Sequence, residues 1–259
     1  MKRMGSVLLS TLALPVILIA IWFAATRQET SVFVPEPLSL VKTFGDVWVG
    51  PAFTEQVVPS LIRLALGLGG AIVVGIALGL AVGSSRVLRD LLEPVLEFFR
   101  ALPAPVLIPV LMLLIGIGDE MKVTVIIIGC MWPILLNTVD GVRATDSVLT
   151  ETARSYGFTG MSRFRYLVLP GAMPRIMTGV RQALSIAIIL VVISEMFAAV
   201  SGLGYQIVVF QRTFKIPEMW SGIVLLAIIG LVLAFLFAQV EKVVLRWYRG
   251  QREVENRGA

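Results

Sequence analysis

The 259-residue sequence predicts an all-α polytopic membrane protein with six transmembrane helices, on three observations. It is 57% hydrophobic and only 15% charged, where a soluble domain carries about 25% charged residues; its mean hydropathy is +0.90. Six apolar stretches, near 7–25, 59–83, 95–116, 121–139, 176–200 and 219–241, approach the roughly 20 residues that a helix needs to cross a ~30 Å hydrocarbon core. The period-2 alternation of a membrane barrel is missing, and helices satisfy their own backbone groups in lipid. The expected organisation is an N-terminal helix with an outer amphipathic segment over 1–58, a five-helix core over 59–243 and a basic cytoplasmic tail over 244–259.

The first span follows Lys2 and Arg3. Its apolar run exceeds a typical signal core, and FAATRQ places Phe23 three residues before a cut at Ala25, so an uncleaved helix is expected. In the outer segment 26–56, Pro37 can start a helix. Leu38, Val41, Phe44 and Trp48 then recur at helical spacing, which suggests an amphipathic helix lying on the membrane or on the bundle. The second span carries Gly75, Gly79 and Gly83 at i, i+4 and i+8. That spacing lets two helix backbones approach closely, within the chain or across a subunit interface. The third span holds Pro103, Pro105 and Pro109, which should kink or break its entry, either for packing or beside a solute path. The lone Cys130 lies in the apolar fourth span, and with no histidine in the chain an intrachain disulfide and Cys/His metal sites are excluded.

Orientation follows from the cations, because short loops rich in Lys and Arg stay in the cytoplasm. Of the 22 lysines and arginines, with the N-terminus inside, the outer segments hold only Arg27, Lys42, Lys122, Arg212 and Lys215, and Arg63 and Arg181 fall within spans. The others sit on the inner side, so both termini are expected in the cytoplasm and the tail after Trp247-Tyr248 against anionic headgroups. The long connection 140–175 is then cytoplasmic. It reads ETARSYG, nine residues, LVLP over 151–170.

No G-x-x-x-x-G-K-[ST] phosphate loop exists, since none of the lysines follows a glycine, so ATP hydrolysis by this chain is not expected. A membrane-embedded enzyme built on Asp140, Asp146 and Glu151 would need several carboxylates around a cation. Those acids stand beside Arg143 and Arg154, and solvated ion pairing explains them better. An ATP-independent channel or facilitator is the remaining alternative.

The connection resembles the EAA loop of ABC importer permeases, E-x-A-x-x-x-G, nine residues, I-x-L-P. Glu151, Ala153, Gly157, Leu167, Leu169 and Pro170 fall on its positions; Thr152 replaces the first of the paired alanines and Leu167 the isoleucine. RALPAPVLIPVLMLLIGIGDEMK, LPGAMPRIMTGVRQAL, SEMFAAVSGLGY and FVPEP are similar to segments of permeases in the nitrate, sulfonate and taurine importer group. The resemblance implies a type I importer permease in a bacterial inner membrane, usually homodimeric. It further implies two cytoplasmic ATPase subunits, which would hold ATP and Mg2+, an external solute-binding protein, and no cofactor bound by this chain. The solute would be a small anion or amphoteric molecule.

The residue types fit that role. A short helix can form from Val148 to about Tyr156, closed by Gly157 at positive φ, and would be the lever that docks on the ATPase. Arg154, Arg163 and Arg165 would offer donors to its carboxylates, while Leu167 and Leu169 tie the loop to the membrane end. Charged groups inside spans are costly and face a partner or a wet cavity. Arg63 and Glu195 are therefore expected either to pair or snorkel, or to line the translocation path, Arg63 as a transient counter-charge to an anion and Glu195 keeping that arginine oriented and the anion from binding too tightly; Arg181 is expected to be structural.

Overall fold

The computed structural model describes residues 13–14, 16–26, 33–145, 147–197, 199–248 and 250. Among the described residues, α1 (Val16–Thr26), α3 (Phe53–Ser84), α6 (Asp119–Arg143), α8 (Gly160–Phe197) and α10 (Ile216–Val244) are the apolar helices. Between them lie α2 (Pro37–Trp48), α4 (Arg86–Ala101), α5 (Leu107–Ile115), α7 (Ser147–Ser155) and α9 (Leu203–Arg212). Among the described residues, α3, α6, α8 and α10 are each long and apolar enough to cross a membrane, and α4 with the segment Ala104–Ile115 makes a fifth span if that bent pair counts as one. Six were expected. The first expected span falls partly outside the described residues, and its described part is the short apolar α1.

The third span differs most from expectation. It is broken, with 79° between Arg86–Ala101 and Ala104–Ile115. The cause is local: a residue before proline is pushed out of the helical region, and Leu102 before Pro103 is extended at ψ 122°. α4 starts far earlier than position 95, at Arg86, capped by Ser85 Oγ accepting from Leu88 N–H at 3.3 Å. The connection 140–175 is likewise more helical than expected, because α8 begins at Gly160 and runs without a break into the membrane.

Two π turns ease prolines into long helices. Val58 N–H donates five residues back to Phe53 O just before Pro59, and Leu169 N–H to Phe164 O just before Pro170. A proline ring collides with the carbonyl four residues earlier, and the widened turn carries that carbonyl away without ending the helix.

α3, α6 and α8 form the core. A Cβ added to Gly75 would lie 2.9 Å from Met131 O, and one on Gly79 2.5 Å from Thr138 Cβ, both on α6. One on Gly83 would lie 2.9 Å from Val142 Cβ. The stripe of small residues is thus an intrachain seam between α3 and α6, the first of the two uses expected for it. On the far side of α6, a Cβ added to Gly141 would lie 2.9 Å from Ala172 O, and one on Gly179 of α8 2.7 Å from Pro133 O, so α8 is seated equally close. Cys130 is buried in this core.

A second cluster joins Trp48, Val57, Leu203, Ile207, Phe210 and Leu225. It seats α2 on the bundle, with Trp48 Nε1 donating to Ser221 Oγ of α10 at 2.9 Å. The buried stripe of α2 is Pro37, Leu40 and Trp48, whereas Leu38 and Val41 of the expected stripe are exposed. Phe44 and Trp48 of the expected stripe thus meet the bundle, held by a hydrogen bond that the period cannot encode.

Candidate functional site

Among the described residues, three polar regions fall at three levels of one helix, α8. At its start is the EAA-like loop. α7 ends in a paired turn, in which Phe158 N–H donates to Ala153 O at 2.9 Å and Gly157 N–H to Arg154 O at 3.0 Å. This closure needs a left-handed residue, and Gly157 has φ 74°. Glu151, Arg154, Arg163 and Arg165 are exposed, and Ala153 is half-buried. Leu167 and Leu169 are half-buried in and after the π turn, and Leu169 packs on the core ahead of Pro170. The expected short helix and its glycine stop therefore exist as local structure. Asp146 lies outside the described residues.

Halfway along α8 is a cleft of 510 Å³ beside the break after α4. Leu102, Ala104 and Pro105 form one wall, Gly129, Trp132 and Pro133 of α6 another, and Gln182 and Ile186 of α8 the third. Phe99 stacks on Trp132 at 5.7 Å and holds α4 against α6. Asn137 Nδ2 donates to Pro133 O at 2.8 Å and to Gln182 Oε1 at 3.1 Å. Arg100 and Asp140 line the same cleft.

Near the end of α8 is a buried ionic cluster. Arg63 Nη1 donates to Glu195 Oε1 at 2.7 Å, and Arg63 Nη2 lies 2.8 Å from Asp119 Oδ1. Ser201 accepts twice from the same guanidinium, through its carbonyl at 2.8 Å and its hydroxyl at 3.1 Å. Arg63 is 4% exposed and Glu195 1%. The first N–H groups of a helix have no partner within it, and here side chains of other helices supply them. Gly202 N–H donates to Gln56 Oε1 at 2.9 Å, Leu203 N–H to Ser60 Oγ at 2.8 Å and Gly204 N–H to Glu195 Oε2 at 2.9 Å. Glu195 thus caps α9, where the helix dipole favours an anion. Lys122 closes the cluster on Asp119 and Gly118 O.

Arg63 and Glu195 are brought together by the fold, and neither lines the cleft. Arg181 pairs with Glu241 of α10. Sequence reasoning missed Gln56, Ser60, Asp119 and Ser201, which are small or polar residues at span ends with no periodic signal. The segment SGLGY did carry one: Gly202 supplies no side chain to cap α9, so the cap had to come from elsewhere.

Residues 71–250 match the family described as binding-protein-dependent transport system inner membrane component. The chain is 32% identical over 237 residues to the Escherichia coli putative aliphatic sulfonates transport permease protein SsuC, covering 90% of each. It is 28% identical over 249 residues to the Escherichia coli taurine transport system permease protein TauC, covering 93% of this chain and 90% of that one. Among solved structures, an inward-facing MetNI methionine ABC transporter chain superposes with a TM-score of 0.62 at 22% identity, over 72% of this chain and 93% of that chain.

Proposed function

This chain belongs to the family of binding-protein-dependent transport system inner membrane components, and from that premise we propose that it forms the solute path of an ATP-driven importer for small sulfonate-like solutes. The observation that carries the proposal is the single helix α8, Gly160–Phe197. It begins at the exposed loop, borders the cleft at Gln182 and ends at the outer cluster with Glu195. A rigid element that touches all three transmits a push at one end to the others.

In this reading α7 and the residues around Glu151, Arg154 and Gly157 dock on an ATPase subunit, which holds the ATP and Mg2+. Leu167, Leu169 and Pro170 hand its motion to α8. The permease works as a homodimer, with the loop and both termini in the cytoplasm, and an external binding protein delivers the solute. Sulfonates and taurine enter the proposal through the relatives named above. Arg63 and Glu195 have their hydrogen-bonding groups spent on each other and on Asp119, Ser60 and Ser201. They hold the outer end of α8 rather than contact solute.

The experiment is co-purification of the ATPase on a tagged permease, with Glu151→Lys as the variant. Loss of the ATPase from the variant, at unchanged permease yield, is expected. A chain that never retains an ATPase, or a variant that retains it fully, contradicts the proposal.

A further inference from the structure

We infer that the turn between α9 and α10 is the knob on which the external binding protein docks, with the Phe214 ring at its centre. The inference rests on the import reading and names the surface through which the external partner acts. α9 closes as α7 does. Lys215 N–H donates to Phe210 O at 2.9 Å and Phe214 N–H to Gln211 O at 3.2 Å, as Phe158 and Gly157 do to Ala153 and Arg154. Both closures set one residue left-handed. After α7 it is Gly157, at φ 74°; after α9 it is Phe214, at φ 55°, the one non-glycine residue with positive φ among the described residues. A side chain with an unbranched Cβ can enter that region, but at a cost that glycine avoids. The ring recovers little of it within the chain, since Phe214 is 77% exposed.

The surroundings of the ring select the partner. Gln211, Arg212, Thr213 and Lys215 are exposed around it, whereas the next apolar residue, Ile216, is buried in the bundle. A membrane anchor gathers several apolar residues on one face. A lone aromatic ring inside a polar rim is instead the layout of a protein-binding hot spot. Neither Arg212 nor Lys215 has an ion pair among the described residues. The matching surface is therefore an apolar socket edged with carboxylates, because complementary charge sets partner and register. α9 gives the contact a use. It runs from the turn back over Leu203–Arg212 to the caps supplied by Gln56, Ser60 and Glu195. Phe210, whose carbonyl closes the turn, sets its ring edge-on to Trp48 at 6.4 Å. Pressure on Phe214 thus reaches Glu195 of α8 through one short helix.

The test is the affinity of the importer's binding protein, purified and loaded with solute, for the permease–ATPase complex. The complex is held in nanodiscs of phosphatidylcholine with or without phosphatidylglycerol. Phe214→Gly deletes the ring and relaxes the backbone. Its Kd should rise at least about tenfold, as loss of a central aromatic anchor produces, while the melting temperature of the permease does not fall. Arg212→Glu together with Lys215→Glu should also weaken binding, and should lose part of the salt dependence of the wild type. An unchanged Kd in Phe214→Gly overturns the inference, and so does unchanged binding in the charge-reversed variant. An effect of Phe214→Gly confined to the anionic nanodiscs makes the turn a lipid anchor and overturns it too. A lowered melting temperature in Phe214→Gly assigns the ring to the permease's own packing, with the same consequence. A wild-type complex that retains its ATPase and binds the loaded binding protein keeps the import reading whatever the variants do, whereas a permease that never retains an ATPase removes that reading by itself.

Discussion

Arg63 and Glu195, 132 positions apart in sequence, meet at 2.7 Å inside the end of the bundle where α8 finishes, and the same carboxylate caps α9 through Gly204 N–H. Removing one member of a buried pair leaves an uncompensated charge, at a cost of about 3–5 kcal/mol. Arg63→Gln and Glu195→Gln should each lower thermal stability in detergent and the yield of folded protein. The double variant should recover part of the loss. A stable Arg63→Gln permease with selectively reduced uptake would instead return Arg63 to the solute path.

Gly202 sits over that pair with φ 130°, and an added Cβ would stand 2.3 Å from Glu195 Cδ. Gly202→Ala combines backbone strain with a collision on a carboxylate that cannot leave, so assembly should fail. Gly116 also has positive φ, 94°, with nothing within 4 Å. Gly116→Ala should therefore cost only the backbone strain of a φ/ψ region that glycine alone occupies readily, about 1–3 kcal/mol. Equal thermal stability of the two alanine variants contradicts this account of Gly202.

The seam between α3 and α6 predicts a second contrast. Gly79→Val would drive a branched side chain into Thr138 and Leu135 O and should cost at least about 1–3 kcal/mol as overpacking. Gly69→Ala, with nothing within 4 Å, should not lower the melting temperature, since alanine is favoured over glycine in a helix interior by roughly 0.5–1 kcal/mol. A destabilised Gly69→Ala would place another surface, such as a second permease copy, on that face of α3.

Much of this was legible in the residues because its causes are local. The glycine stripe, the proline break and the Gly157 stop each follow from backbone sterics within a few positions, and all stand in the structure. The pairing of Arg63 with Glu195 was legible as one option, since a charge in a span needs a partner. Its other holders were not: Asp119 reads as a polar turn residue, and Ser60 as one more hydroxyl at a helix start, until the fold sets them 2.8 Å from Arg63 and Glu195. The hydrogen bond that seats α2 was hidden for the same reason, because Trp48 finds Ser221 across 173 positions.

The cation distribution predicts sidedness. In a Cys130→Ala background, cysteines at Ser162 and Arg252 should be shielded from an impermeant thiol reagent in intact cells, and one at Thr213 labelled. Labelling at Ser162 from outside inverts the topology and removes the coupling role of the loop.

The central claim is that motion of α7 enters the membrane through α8, and Gly157→Val tests it most directly. A β-branched residue is a poor fit at φ 74°, and the change lies on an exposed turn, so the membrane bundle should fold normally. The measurement is ATP-driven uptake in proteoliposomes containing permease, ATPase and loaded binding protein. The account predicts uptake reduced at least about tenfold, which corresponds to about 1.4 kcal/mol of lost coupling, at unchanged thermal stability. Unreduced uptake with normal ATPase retention would contradict it.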